Sequence, residues 1–487
     1  MNFIAQDMVG SVRILLSKLL FSFLSLLFFF ATALSTFANE RPRIIVLTDI
    51  TNEPDDQESL VRFLVYSNEF DVEALIATTS TWLRNRTSVQ NIRDCVGAYG
   101  KVQENLSKHA DGFPSLEELE AVITEGFPAF GMAGVGDGKD TPGSNKIIEV
   151  VDQEDKRPVW VTAWGGANCL AQALWRVRKD RSKEELAKFI AKIRVYTISD
   201  QDDSGPWMRR EFPELFYVVS PGGERSGEYY QATWTGISGD KYYLNGPEYR
   251  FDLVTNKWLD QNVRSGHGPL GAMYPNWEYI MEGDTPSYMN LINNGLGSHI
   301  SPGYGGWGGR YAFKQTYQDA GKIWQNTRDR VVTPDGVIHM SNTATIWRWR
   351  EAFQHDFAAR MDWCVQEKED ANHNPVVIVD GDRTKKVLRR LVRPGEQVTL
   401  DAAGTSDPDG DELTYRWFHY SEAGRDVLNV RDQWSAELKA ADTSKVTINI
   451  PEKLPRNTSE LHIVLDVKDD GQPSLHAYRR VIFKIVN

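Results

Sequence analysis

Four apolar runs, each breaking off into polar residues, constrain the fold of this chain more than anything else in it. Residues 44–47, 72–79, 159–163 and 193–198 read as strands, and helix-like runs at 56–65, 89–105, 116–123 and 167–179 follow or separate them. This order predicts a mostly parallel sheet with right-handed crossovers, flanked by helices. The runs end in Asp49, in Thr79-Ser80-Thr81-Trp82, in Trp164-Gly165-Gly166, and in Ser199-Asp200-Gln201-Asp202-Asp203. Ligands of open α/β sheets bind outside the carboxyl ends of the strands, so all four endings direct their chemistry at one rim.

The first ending is the densest. Within TDITNEPDD (48–56), Asp49, Asn52, Glu53, Asp55 and Asp56 crowd one strand mouth. So many like charges repel one another unless a cation or a polyhydroxyl ligand is held there. The alternative is a solvated loop whose Asp55 or Asp56 caps the next helix. Asp200, Asp202 and Asp203 are candidates to bind the hydroxyls of a polyhydroxyl ligand or to donate a proton, or else a solvated charged turn. Glu282 and Asp284 precede a proline at a helix start, where capping competes with function. Trp164, Trp207 and Trp307 are candidates to stack on sugar faces, with burial in the core as the alternative. Asp407, Asp409 and Asp411 fit a turn better than a further cation site.

A length of 487 residues suggests two or three domains, and a net charge of −12 argues against a nucleic-acid partner. Arg13 and Lys18 precede an apolar run at 19–34, and Thr36-Phe37-Ala38 offers a cleavage site, so residues 1–38 read as a secretory signal and the mature chain as secreted or periplasmic. A membrane anchor is the competing reading; the run is short and no basic stop-transfer cluster follows it, which predicts no stable span after cleavage. Cys95, Cys169 and Cys364 are odd in number and widely spaced, and read as buried thiols. From 205 to 310 periodicity fades into aromatic, glycine-rich segments of the kind that form functional loops. Helix resumes over 344–365. The polar stretch 367–374 marks a boundary, giving an α/β domain over 39–372. After it the period becomes two, and five short strands predict an immunoglobulin-like β-sandwich over 373–487. The sequence leaves the oligomeric state open.

TDITNEPDD, SDQDDSGPWMRREFPELF (199–216), EGDTPS (282–287), WGGRY (307–311) and HDFAARMDW (355–363) together resemble the nucleoside hydrolase superfamily. The likeness is greatest to a secreted bacterial family described as cellulose-binding, with a nucleoside-hydrolase-like domain followed by an immunoglobulin-like one. Asp49, Asp55 and Asp56 match the Asp-rich motif after the family's first strand, with Asn52-Glu53-Pro54 replacing its Pro-Gly portion. Gly165-Gly166-Ala167-Asn168 resembles the second motif and His355-Asp356 the late His-Asp pair. The resemblance implies a calcium ion on Asp49, Asp56 and Asp356. It implies a catalytic group of Asp49, Asp55 and His355, with a calcium-bound water and an Asp base attacking an O- or N-glycosidic bond. The sugar or nucleoside-like substrate would meet Asn52, Glu53, Trp164, Asn168, Asp200, Asp202, Trp207, Glu282 and Asp284. A carbohydrate-binding, cellulose-binding scaffold without turnover is the alternative. The donor chemistry agrees with calcium, which takes six to eight oxygens, and a His/Cys cluster at zinc spacing is missing from the sequence.

Overall fold

Residues 44–47 are fully buried because the strand they form lies inside a parallel sheet and is covered on both faces. Ile44 and Val46 enter one apolar layer, and Ile45 and Leu47 enter the other. Burial of such side chains is worth roughly 1.5–3 kcal/mol each. The computed structural model describes residues 41–221, 229, 232–239, 249–315, 321–425, 434–455 and 458–486. The expected signal, residues 1–38, lies outside the described residues. Among those described, no helix is long and apolar enough to cross a membrane.

The strands of the first sheet are β1 Arg43–Thr48, β2 Asp71–Ala77, β3 Ile123–Glu125, β4 Val159–Ala163, β5 Ile193–Thr197, β6 Phe216–Val219, β7 Tyr311–Lys314 and β8 Ile323–Asn326. Their order is β3-β2-β1-β4-β5-β6-β8-β7, parallel apart from β7 against β8. Helices Pro54–Val65, Val89–Tyr99, Pro142–Asp152, Asn168–Asp180 and Ser204–Glu211 cover its faces. β1, β4 and β5 are neighbours, so Asp49, Trp164 and Asp200 leave the sheet at the same edge. Sequence periodicity missed β3, β6, β7 and β8, whose runs are only three or four residues long. The helix expected over 344–365 breaks into Ala344–Trp347 and Arg350–Asp362. The three cysteines are buried free thiols.

A hairpin of β9 Asp329–Val332 and β10 Ile338–Ser341 leads to seven further strands, two more than periodicity predicts. These are β11 Leu388–Val392, β12 Gln397–Asp401, β13 Thr414–His419, β14 Glu437–Lys439, β15 Lys445–Asn449, β16 Glu460–Lys468 and β17 His476–Ile485. They form a β11-β17-β16-β13 sheet and a β12-β15-β14 sheet. Leu400, Trp417, Ile448, Ile463, Val481 and their neighbours fill the core these sheets share. The outer face of the four-stranded sheet packs on the α/β layer: Val464 and Tyr478 belong to the same apolar cluster as Trp307 and Trp349. Residues 42–487 accordingly pack as one unit.

A buried ionic knot fastens this junction. Asp329 accepts from Arg310 Nε at 2.7 Å and from Arg348 Nη1 at 2.8 Å, and Tyr420 of the sandwich donates its hydroxyl to the same carboxylate. Burial opposes ionisation of Asp329, but the two guanidinium charges outweigh it and hold the carboxyl below its usual range. Removing the carboxylate strands two cations in an apolar surround. Asp329→Ala is therefore expected to destabilise the unit by about 3–5 kcal/mol, measured by urea unfolding.

Candidate active site

The rim is built by the turn after β1. Thr48 is the last strand residue, and its hydroxyl donates to Asp56 while accepting from Ile50 N at 3.1 Å. Thr51 then sits at φ +99°, a conformation that a β-branched residue adopts only under constraint. This brings the chain to Glu53 and Pro54, which opens the helix Pro54–Val65. Asp55 and Asp56 fall in its first turn, where aligned peptide dipoles favour negative charge. Asp56 N donates to Asp55 Oδ1 at 3.0 Å. Ser199, after β5, and Glu282 also hold positive φ, at +60° and +54°.

Asp284, just ahead of the short helix Thr285–Met289, completes the arrangement. One carboxylate oxygen from each of Asp55, Asp56 and Asp284 lies within 4.8 Å of the other two. All three residues are buried, and Asp284 Oδ2 has no partner within the protein. Burial, then the charges of neighbouring acids, pushes all three carboxyls well above their usual range. Asp49 stands beside them: Ser80 Oγ donates to its Oδ2, and burial raises it to about 6. A Cβ on Gly165 would lie 2.4 Å from Asp49 Oδ1, so only glycine lets the turn after β4 approach so closely. Three converging, buried, all-oxygen donors suit a hard divalent cation such as calcium.

Next to this cluster the rim presents acceptors without donors. Asp202 Oδ1 takes Ser204 N at 2.8 Å and the Ser204 hydroxyl, while Oδ2 has no protein partner and sits against Gly166. Burial raises Asp202 to about 6. Asn168 donates to Ala129 O at 2.7 Å and Thr79 Oγ1 at 3.2 Å, leaving Oδ1 buried without a partner. Gln201 donates to Trp164 O at 2.5 Å, and its Oε1 is likewise unpartnered.

Other expected site residues have different work. Asp356 is not in the acidic cluster: it accepts from Tyr66 Oη at 2.6 Å, Arg360 Nε at 3.1 Å and Asn374 Nδ2 at 2.8 Å. Its charge is already matched by Arg360, and Asp284 stands where the Asp49–Asp56–Asp356 set required it. Asp55, expected to face substrate, is part of the converging trio. His355 turns to the sandwich, with Nδ1 3.0 Å from Ser474 O. Asp200 forms a two-pronged pair with Arg209, both contacts 2.8 Å. Glu282 pairs with buried Arg62 at 2.6 Å and accepts from Tyr274 and Thr285. Trp164 is core, edge-on to Phe63, with Nε1 donating to Ser287 Oγ at 3.0 Å. Trp307 is core as well. Trp207 packs on Phe212 under the Arg178 guanidinium. Asn52 and Glu53 are half-buried in the first loop, with Glu53 close enough to raise the carboxyls of Asp55 and Asp56. Asp407 accepts from Asp409 N at 2.8 Å and Gly410 N at 3.1 Å, as a turn-forming residue does. Ser80 and Gln201 are rim residues that only the polar strand endings foreshadowed.

Comparison with known proteins adds a family. Residues 43–311 match the family described as "Cellulose-binding Sde182, nucleoside hydrolase-like domain", and residues 397–485 match "Cellulose-binding protein Sde0182, C-terminal domain". A solved structure of a nucleoside hydrolase-related hypothetical protein from Saccharophagus degradans, associated with carbohydrate metabolism, is 37% identical, covering 92% of this chain and 100% of its own at a TM-score of 0.75. A PKD domain from the KIAA 1837 protein (19% identity, 20% of this chain, 80% of its own, TM-score 0.14) and human CDH23 EC21-23 (16%, 23%, 33%, 0.17) also align, too weakly to carry an argument. No curated protein matches the chain.

The raised carboxyls fix the sign of a pH effect. The native state holds protons that the unfolded chain releases near pH 4, so their stabilising contribution is full below that value and is lost as pH rises through about 6 and beyond. In chelator the melting temperature is expected to fall between pH 5 and pH 8. Added calcium should restore it more at pH 8 than at pH 5, read by differential scanning calorimetry.

Proposed function

The chain belongs to the cellulose-binding Sde182 family with a nucleoside hydrolase-like domain, and from that premise we propose that it is a secreted hydrolase of glycosyl bonds in carbohydrate, acting at the acidic rim. The observation that carries this reading is the convergence of buried Asp55, Asp56 and Asp284 beside Asp49. A calcium ion held by the trio would supply charge compensation and polarise oxygens bound to it. Asp49 is the group suited to take a proton from water. It is held in place by Ser80, and its carboxyl, at about 6, is ionised at neutral pH yet basic enough to accept. The buried, unpartnered oxygens of Asn168, Gln201 and Asp202 would be satisfied by hydrogen bonds from sugar hydroxyls. Negative charge along the same rim favours the oxocarbenium-like state through which glycosyl bonds break.

One observation favours a second reading, a carbohydrate-binding protein without turnover. His355, the expected polar group at the leaving side, is bonded to Ser474 instead. Cello-oligosaccharides, aryl glycosides and nucleosides, tested with calcium and with chelator, separate the two readings. Under the first, Asp49→Asn lowers kcat about 100-fold or more while calcium binding persists, and Asp284→Asn weakens calcium binding about tenfold or more. Binding of cello-oligosaccharide with no product from any substrate supports the second.

A further inference from the structure

Away from the acidic rim, the outer face of the four-stranded sheet meets the α/β layer at a groove. It consists of two cavities, of about 400 Å³ and about 520 Å³, whose walls share Arg348 and Arg416. Each has the size of an ordinary small-molecule site. β13 forms one wall. Period two sends Trp417 into the sandwich core and Arg416 and Phe418 to the opposite face. The Arg416 side chain is 66% exposed and lies over the Phe418 ring, 5.1 Å from its centroid. It makes one contact to Asp466, at 2.8 Å from Nη2 to Oδ2, which leaves most of its N–H groups without a protein acceptor. β9 contributes Arg330, whose guanidinium has no partner among the described residues, although its backbone N donates to Glu422 at 3.1 Å.

Two indole rings also line these cavities, those of Trp349 and Trp434. The indole N–H groups of Trp349, only 3% exposed, and of half-buried Trp434 meet no acceptor within the protein. The larger cavity is lined by Arg330, Arg348 and Arg416; Arg348 faces Asp329 and Arg416 makes its single contact to Asp466, while the Arg330 guanidinium meets no acid among the described residues. The open guanidinium N–H groups of Arg330 and Arg416 call for a ligand rich in acceptors and negatively charged. Arginine forks fit carboxylates with two parallel hydrogen bonds, and aromatic faces cover apolar ring faces. A chain of carboxylated pyranoses offers a ring face and a carboxylate at each unit, as β13 offers a ring and a guanidinium at alternate positions. A lone phosphate would leave cavities of this size largely unfilled.

We propose that the groove between β9 and β13, lined by Arg330, Arg348, Arg416, Phe418 and Trp434, binds a uronic-acid-bearing oligosaccharide at a site separate from the acidic rim. The rim's own carboxylates would repel such a ligand, so the two sites divide sugars by charge. The test is calorimetric titration of the full chain with tetragalacturonate, cellotetraose and AMP in chelator, at low and high salt. Tetragalacturonate is expected to bind about tenfold or more tighter than either competitor, to weaken with salt, and to lose about tenfold or more in affinity in Arg330→Gln. Arg330 has no ion pair among the described residues to lose, so this variant should keep its melting temperature, and the exposed Arg416→Gln should act in the same direction. No binding of tetragalacturonate, equal binding of cellotetraose or AMP, or affinity unchanged in both variants overturns the proposal.

Discussion

Mutual repulsion among carboxylates buried at the mouth of β1 is the constraint around which the rim is organised. Asp49, Asp55, Asp56 and Asp284 each lie almost out of water; burial raises all four carboxyls, and the charge of Asp49 adds to it in the other three. A fold keeps such an arrangement only when something else over-determines it. Here that support is a parallel sheet buried on both faces, a helix whose N-terminus points at two of the acids, and the Ser80 and Thr48 hydroxyls, which fix Asp49 and Asp56. Thr51, Ser199 and Glu282, in turns near the rim, hold positive φ.

The structure separates buried acids that face a cation from the rim acids that face one another. Asp200, Glu282, Asp329 and Asp356 are as buried as the rim acids, but each faces an arginine. These pairs set loops and domains in place: Glu282–Arg62 pins the segment that carries Asp284 to the helix that carries Asp55 and Asp56. The sandwich takes part through Asn374 and Ser474, which engage Asp356 and His355, and through Tyr420 at the Asp329 knot. It therefore acts as a structural neighbour of the α/β layer, with its own concave surface along β13.

Much of this was legible in the sequence, for a physical reason. A central parallel strand must be apolar on both faces, so 44–47 announced itself, and its abrupt end in acids announced the rim. The sandwich declared itself by period two, although β11 and β14 were too weakly patterned to be counted. What sequence could not supply was long-range pairing. Asp284 joins Asp55 and Asp56 only through the fold, and Glu282 is removed from the site by an arginine far away in the chain. Asp356 misled because it sits next to His355 in a motif-like pair. Its true partner, Arg360, stands four residues on, the spacing at which helical ion pairs form. Trp164 misled because a strand-end tryptophan at the rim can also point back into the core, as this one does.

The central claim is that the trio holds a cation. Anomalous diffraction from crystals of the chain soaked with a lanthanide, as a stand-in for calcium, tests it most directly. The account predicts a strong peak within about 2.3–2.6 Å of carboxylate oxygens from Asp55, Asp56 and Asp284. A peak at Asp356 instead, or none at the rim with the three carboxylates still in place, would contradict it.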